Sequence, residues 1–407
     1  MASIKKSKVF LLLIVFFGGL NEQGFAQFEE IDIYQTQIDP FSGIKVLSKD
    51  SSYSINFRFR MQNRFEAEAD NIEEPWGIDR HVFLTRRFRL RSDGFVINKY
   101  FRYAFQLSFT QGDQDFATTG IPNLVRDAMV FYKPNNYLEL GFGLTKLPGN
   151  RQRVISSGEQ QFADRSILNS LLNVDRDHGI FIRLKNDEIA TPVRVHFAWT
   201  NGTGRNYDEK SGGSALTGKF EWLPLGNFKF KGDYYDGDFV GETKPKLSFS
   251  TAYSYNSNAI RTGGQTGKPL YTPSDISTFF LDMLFKYQGF AVFTEFALRD
   301  AENPVTSNLA DGNIRFINKG NATTIQLSYQ TRKHHELAFR WARFTPHKDI
   351  ETQTAELNDF TLAFTKYVRF HRVKVQADIT FRNANSPIST VKAQDYWLYR
   401  FQIEMGI

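Results

Sequence analysis

The sequence predicts an all-β chain: a transmembrane antiparallel β-barrel of about sixteen strands, with an inward-folded third external loop. Three observations carry this expectation. Apolar and polar residues alternate with a period of two in segment after segment, which is the period of a strand. The connections between these segments alternate between long and short. The chain also holds 40 Phe and 17 Tyr at a negative mean hydropathy, and a lipid-facing barrel uses such residues for its outer face and its aromatic belts.

At the start of the chain, Lys5, Lys6 and Lys8 precede an apolar run from Val9 to Leu20. That run is too short to span a bilayer as a helix. Gly24-Phe25-Ala26 follows with small residues at the positions a signal peptidase reads, so residues 1–26 are expected to be a signal peptide cleaved after Ala26; an N-terminal membrane anchor is the plainer alternative. Residues 27–53 then form an N-terminal periplasmic segment and 54–407 the barrel. No later stretch is apolar for long enough to make a transmembrane helix. Without residues 1–26 the formal charge falls from +6 to +4. The absence of cysteine excludes disulfides, thiol catalysis and thiolate metal sites.

The alternation is clearest over 54–66, where Ile55, Phe57, Phe59, Met61 and Phe65 face one way and Arg58, Arg60, Gln62 and Arg64 the other. Strands are expected at 54–66, 82–91, 95–110, 124–132, 137–145, 179–185, 193–200, 215–222, 246–256, 277–287, 290–299, 322–331, 335–344, 358–367, 371–382 and 395–407. Odd-numbered gaps are long. Even-numbered gaps are short, as at 92–94 (Ser-Asp-Gly) and 133–136 (Lys-Pro-Asn-Asn). Short periplasmic turns opposite long external loops are the outer-membrane pattern. The gap 223–245 breaks it. Within that gap, 228–238 reads as a further segment or an elaborated turn outside the barrel, since counting it as a strand inverts every later connection. A large soluble β-sandwich would also alternate, but it has no reason to alternate its loop lengths.

Parity sorts the charges. Eighteen Arg and Lys against eight Asp and Glu take the inner face of the expected strands, in a mature chain of only +4. A low-dielectric wall focuses such a field and concentrates anions. The densest group is Arg58, Arg60 and Arg64 on the first strand, beside Arg87, Arg89 and Arg91 on the second, with Arg102 on the third. A guanidinium stays charged and presents a planar fork to phosphate or carboxylate. About half of these cations are expected to pair with carboxylates across strands. Two places break parity: Arg86 falls on the lipid side, where it could snorkel to the interface, and Arg126 stands next to Asp127.

The longest gap, 146–178, holds Lys146, Arg151, Arg153, Arg165 and Arg176. Ile167, Leu168, Leu171 and Leu172 sit at i, i+1, i+4 and i+5, which suits a short helix on the inner wall. The loop is expected to fold into the lumen, with Arg151, Arg153 and Arg165 reaching the pore; an external lid is the alternative. Enzyme signatures are weak. The His residues are scattered, Gly141-Phe142-Gly143 precedes no helix, and no nucleophile–base pair or metal spacing stands out. The Asn201 and Asn321 sequons read as chance. No cofactor is expected. Nucleic acid is not an expected partner, because the basic residues alternate into a lumen and form no exposed stripe.

Several ordered segments resemble the phosphate-selective porin O and P family in its Bacteroidetes-type branch: Arg86-Arg87-Phe88-Arg89-Leu90, Arg126-Asp127-Ala128, Leu140 through Pro148, Ala163-Asp164-Arg165-Ser166, Asp175-Arg176-Asp177-His178-Gly179, and Trp199 through Gly204. Their order and spacing run over nearly the whole mature chain. The resemblance implies a sixteen-stranded, usually trimeric outer-membrane barrel with an inward third loop and an arginine-lined eyelet. The chain departs from many such barrels by ending in Met405-Gly406-Ile407. The function expected is passive passage of phosphate or other small anions. The alternative is a channel or binding module for larger solutes such as oligosaccharides, in which ring stacking outweighs charge.

Overall fold

A chain that alternates at this period leaves every strand with one apolar face and one polar face. In lipid it must also pair every backbone group, which a closed antiparallel sheet achieves. The computed structural model describes residues 33–39, 43–70, 73–114, 123–205, 213–386, 388, 391 and 393–407; the expected leader at 1–26 lies outside the described residues. Among the described residues, β1 (Ile33–Asp39) and β2 (Gly43–Ser48) form a hairpin. The wall follows as β3 (Ser54–Ala69), β4 (Arg80–Phe95), β5 (Phe101–Ser108), β6 (Val125–Tyr132), β7 (Leu138–Lys146), β8 (Arg176–Asn186), β9 (Val193–Thr200), β10 (Ala215–Trp222), β11 (Lys246–Arg261), β12 (Pro269–Tyr287) and β13 (Phe290–Ala301). A small hairpin, β14 (Val305–Ser307) and β15 (Ile314–Phe316), decorates the next loop. The wall then resumes with β16 (Gly320–Gln330), β17 (His335–Pro346), β18 (Glu356–Arg369), β19 (Val373–Asn385) and β20 (Tyr396–Gly406). Each wall strand pairs antiparallel with the next. β20 returns to β3 from Trp397 opposite Ala69 to Gly406 opposite Arg60, which closes a barrel of sixteen strands.

The two faces separate as the pattern demands. On β12, Phe279 and Leu281 point outward and are exposed, while Thr278, Phe280, Asp282, Leu284 and Lys286 point inward and are buried. Long connections gather at one end of the barrel and short turns at the other.

Four local features differ from the sequence expectation. Ser92-Asp93-Gly94 is not a turn: it pairs with both β3 and β5, and the chain turns at 96–100. Only glycine fits at 94, since a Cβ there would meet the Ser54 carbonyl oxygen at 1.8 Å. Arg86 does not snorkel. The β3–β4 register slips between Gln62 and Asn63, so Arg86 falls in a bulge and turns inward. The same device explains Arg126 beside Asp127: the β5–β6 register slips between Gln106 and Leu107, and both side chains are buried inside. An extra residue in one strand resets parity, which is what a bulge does. The fourth feature lies before the barrel, where part of the expected 27–53 segment is strand: β2 pairs with β3 from Leu47–Ser54 to Ile44–Phe57, beyond the point where β20 ends.

Two segments occupy the interior. Residues 147–175 carry a one-turn helix at Arg151–Val154 and a second helix at Ile167–Leu172. Ile167, Leu168 and Leu172 share one buried cluster with Phe280, Ala252, Ala297, Ala322 and Ala342 of the inner wall, and the helix lies against β13, β16 and β17. Small wall residues make room for the helix, and each fully buried aliphatic side chain stabilises by about 1.5–3 kcal/mol. Both helix ends are satisfied: the Ser166 hydroxyl accepts from the Asn169 amide at 3.3 Å, and Arg299 donates to the Leu171 and Leu172 carbonyls at 3.1 and 2.8 Å. The second segment, 223–245, contains no strand; it holds a 3₁₀ turn at Lys229–Tyr234 and returns to β11.

Gly143 offers a test of this geometry. It has φ +129, and a Cβ there would lie 2.1 Å from the Ala128 carbonyl oxygen on β6. Gly143→Ala is expected to destabilise the barrel by about 1–3 kcal/mol, whereas Gly218→Ala, with nothing within 4 Å of its Cβ, costs nothing measurable. Thermal unfolding followed by the gel shift between folded and unfolded bands checks the pair.

Candidate functional site

Inside a closed barrel a side chain has three possible fates: it can pack, hold a loop, or face open space. The inward cations divide between the last two. A cavity of about 1160 Å³ runs from Tyr396 and Gln265 at the long-loop end to Lys133 and Asn227 at the turn end. Among the described residues, 22 Arg and Lys and eight Asp and Glu line it, and no residue from 268 to 339 does. The open space therefore follows the wall from β3 to β10 and, toward the long-loop end, reaches β17 to β20 through Arg340, Asp359, Arg382 and Tyr396, whereas the side formed by β12, β13 and β16 is filled.

Nine of the twelve residues singled out in the sequence line this cavity. Arg60 donates to the Ser156 and Ser157 hydroxyls at 3.3 and 2.7 Å, across to the inserted segment. Arg87 bonds Gln62 at 2.8 Å, and Arg89 bonds Asp113 at 2.8 Å and Ser157 at 3.2 Å. Arg91 reaches Asp93 at 3.1 Å, and Arg102 reaches the Lys99 carbonyl at 3.1 Å. From the inserted segment and its flanks, Lys146 donates to the Val154 carbonyl at 2.9 Å, Arg153 to Asp175 at 2.8 Å, Arg165 to the Gln152 carbonyl at 2.7 Å and Arg176 to Asp127 at 3.1 Å.

The other three lie elsewhere. Arg58 pairs with Asp93 and borders a smaller cavity of about 200 Å³ near the turn end. Arg64 is buried, bonding the Ala163 carbonyl at 2.5 Å and Asp164 at 3.0 Å. Arg151, expected to reach the pore, points into the wall: it is 1% exposed and bonds Asp282 at 2.5 Å, Ser248 at 2.8 Å and the Asp233 carbonyl at 3.0 Å. A guanidinium facing two carboxylates on the wall, Asp282 and Glu221, has a better partner there than water.

The sequence reading missed Arg86 and Arg126 as lining residues. The signal was the broken parity, since adjacent charges in a strand mark a bulge as well as a snorkelling side chain. It also left out Lys133, Lys231 and Arg261, which sit on turns or strand ends where alternation carries no information.

Shared carboxylates explain how so many cations coexist. Asp164 lies 3.0, 3.2 and 3.4 Å from Arg64, Arg86 and Arg87. Asp113 is shared by Arg89 and Arg126, the latter at 2.8 Å. Each carboxylate sits among more guanidinium groups than it can neutralise. Burial opposes the ionisation of Asp164, but Arg86, Arg87 and Arg64 outweigh it and hold the carboxyl well below the usual carboxylate range.

No protein-family model matches the chain, and no curated protein sequence does. Solved structures do match in shape. An anion-selective porin from Comamonas acidovorans superposes with a TM-score of 0.54 at 12% identity, over 87% of this chain and 100% of that one. Pseudomonas putida OprB gives 0.54 at 12% identity over 87% and 94%. The trimer form of OmpT from Vibrio cholerae gives 0.50 at 10% identity over 88% and 100%. At these identities the likeness shows the fold, which is that of bacterial outer-membrane porins.

Asp164→Asn is expected to lower the unfolding temperature at neutral pH, through the loss of charged hydrogen bonds worth about 1.5–3 kcal/mol each. A depressed folded-state pKa contributes stability that is complete above the unfolded value near 4 and is lost as pH falls further. The gap between wild type and variant should therefore hold constant down to about pH 5 and narrow on further acidification. Unfolding scans across pH check this; a gap that widens in acid excludes the ion cluster as its source.

Proposed function

We propose that this chain is an outer-membrane channel for the passive passage of small anions, phosphate among them. The observation that carries the proposal is the lining of the large cavity: 22 cationic against eight anionic side chains, in a passage that reaches both ends of the barrel. In a narrow low-dielectric passage that imbalance raises the local anion concentration and repels cations. Residues 147–175 are the constriction in this reading, because Ser156, Arg153 and Arg165 border the passage together with Arg60, Arg89 and Arg126 of the wall. Guanidinium forks spaced along the wall offer a permeating oxyanion one bidentate partner after another.

The resemblance to phosphate-selective porins supports the same reading and adds a homotrimer held in outer-membrane lipid. A trimer form is also named for the Vibrio protein of the same fold. The exposed Phe, Tyr and Leu of the outer face supply apolar surface both for lipid and for neighbouring subunits. The oligosaccharide alternative needs exposed ring faces in the passage. Two of the lining rings are already covered: the Arg382 guanidinium lies 5.4 Å over Tyr396, and that of Arg194 lies 5.8 Å over Tyr234.

Replacing Arg60, Arg86 and Arg153 together with Gln should move the zero-current potential in a salt gradient toward cations, with the barrel still folding. Planar-bilayer recording measures it. A potential that stays at the wild-type value would mean that these three charges do not set selectivity, and a wild-type channel that prefers cations would sink the proposal. Phosphate added to a chloride-conducting channel should reduce the current if phosphate is the favoured solute; no reduction leaves the broader anion class.

A further inference from the structure

The segment 223–245 has no role in the reading above. It is twenty-three residues long, at the end of the barrel where every other connection is a short turn. It does not hang outside: many of its polar and apolar residues alike are buried, including Asp233, Asp236, Asp238, Glu242 and Phe228.

Its path can be followed by its bonds. Near β10, Tyr234 donates to Glu221 at 3.2 Å, and Asp233 pairs with Arg194. Midway, Lys286 of β12 donates to three of its carbonyls, those of Gly232, Tyr235 and Gly237, at 2.7, 2.8 and 2.5 Å. Asp238 accepts from the Gly289 amide at 2.7 Å, and the Glu242 carbonyl accepts from the Gln288 amide at 2.8 Å, which ties the segment to the β12–β13 turn. Beyond that, Phe239 packs its ring against Tyr367 and His371, with centroids 5.0 and 4.6 Å away, under β18 and the turn that follows it. The segment therefore crosses the mouth from β10 to β18. Along the way it props the other inserted segment, since the Asp236 amide donates to the Glu159 carbonyl at 3.1 Å and Arg151 to that of Asp233 at 3.0 Å.

The open cavity respects this barrier. It touches 223–245 only through Asn227, Phe228, Lys231 and Tyr234, on the side toward β8 to β10. Phe230 and Lys231 are in the left-handed region, at φ 49 and 58, a costly conformation for side-chain-bearing residues that forms the tight corner at the edge of the passage.

We propose that residues 223–245 are a fixed stopper, closing the periplasmic side of the β11–β18 half of the lumen so that solutes leave only along the β4–β10 wall, and that the segment thereby sets the size limit of the channel. The size limit rests on the channel reading above; the stopper itself does not.

The absence of cysteine from the chain allows a test that needs no conduction. Ser328 faces inward near the turn end of β16 and is 7% exposed. In Ser328→Cys, the introduced thiol should react slowly with a bulky water-soluble maleimide. It should react many times faster once residues 229–241 are replaced by a short Gly-Ser linker. Lys286→Met with Phe239→Ala, which unpins the segment without shortening it, should give an intermediate rate and covers the case in which the deletion fails to fold. Equal rates in all folded variants overturn the stopper. In planar bilayers the same deletion should raise single-channel conductance and admit larger neutral polymers. Faster labelling with unchanged conductance and polymer cut-off overturns the size limit while leaving the stopper in place. A wild-type protein that forms no channel refutes the channel reading instead, and the labelling rates still decide the stopper.

Discussion

Inward-facing cations that donate to the backbone carbonyls of inserted segments are the interaction on which the interior depends. A closed sheet leaves its own backbone satisfied, but a loop folded inside brings carbonyls with no ladder to join, and a buried carbonyl without a donor is costly. The wall supplies the donors. Arg299 holds the end of the Ile167–Leu172 helix, Lys374 bonds the Gly158 and Gln160 carbonyls at 3.0 and 2.7 Å, Arg340 bonds that of Asp164 at 2.9 Å, and Lys286 holds three carbonyls of 223–245. Long flexible cations suit this work, because each donates several bonds from one anchored stem.

That duty divides the positive charge. Lys286, Arg299 and Lys374 are spent on loops, whereas the inward cations from β4 to β9 border open space, as do Arg60, Arg340 and Arg382. The second group is held together by carboxylates in the minority, Asp113 and Asp164 above all. Both acids belong to connections and not to wall strands, Asp164 to the inserted 147–175 and Asp113 to the connection between β5 and β6, so inward-turned connections bring the anions that let a dense arginine cluster persist. Filling one side of the barrel and lining the other are therefore two consequences of the same insertions.

Apolar packing fixes which side is filled. The wall strands facing the Ile167–Leu172 helix are β13, β16 and β17, which place Ala297, Ala322 and Ala342 in the same buried cluster. Alanines leave a shallow trough that a helix can enter, whereas the long arginines of β3 and β4 leave none. Close packing then makes the arrangement specific, since a larger residue in the trough would have nowhere to go.

The sequence by itself determined the barrel. Period-two alternation assigns each side chain to a face, and alternating connection lengths order the strands, so each of the sixteen predicted segments overlaps a wall strand, with 193–200 and 215–222 matched end to end. It also located the helix in the longest connection, because its leucines are spaced for one face. Only the tertiary structure decided what each inward cation does. Arg60 and Arg64 have the same parity on one strand, yet Arg60 borders the passage and Arg64 is buried beneath Ala163. Parity is a local property of the backbone, while the partner of an inward side chain is set by a loop that arrives from a hundred residues away. The same reason hid Arg86, Arg126 and the course of 223–245: a bulge is fixed by the register of two strands together, and a long turn folds wherever the opposite wall offers it donors.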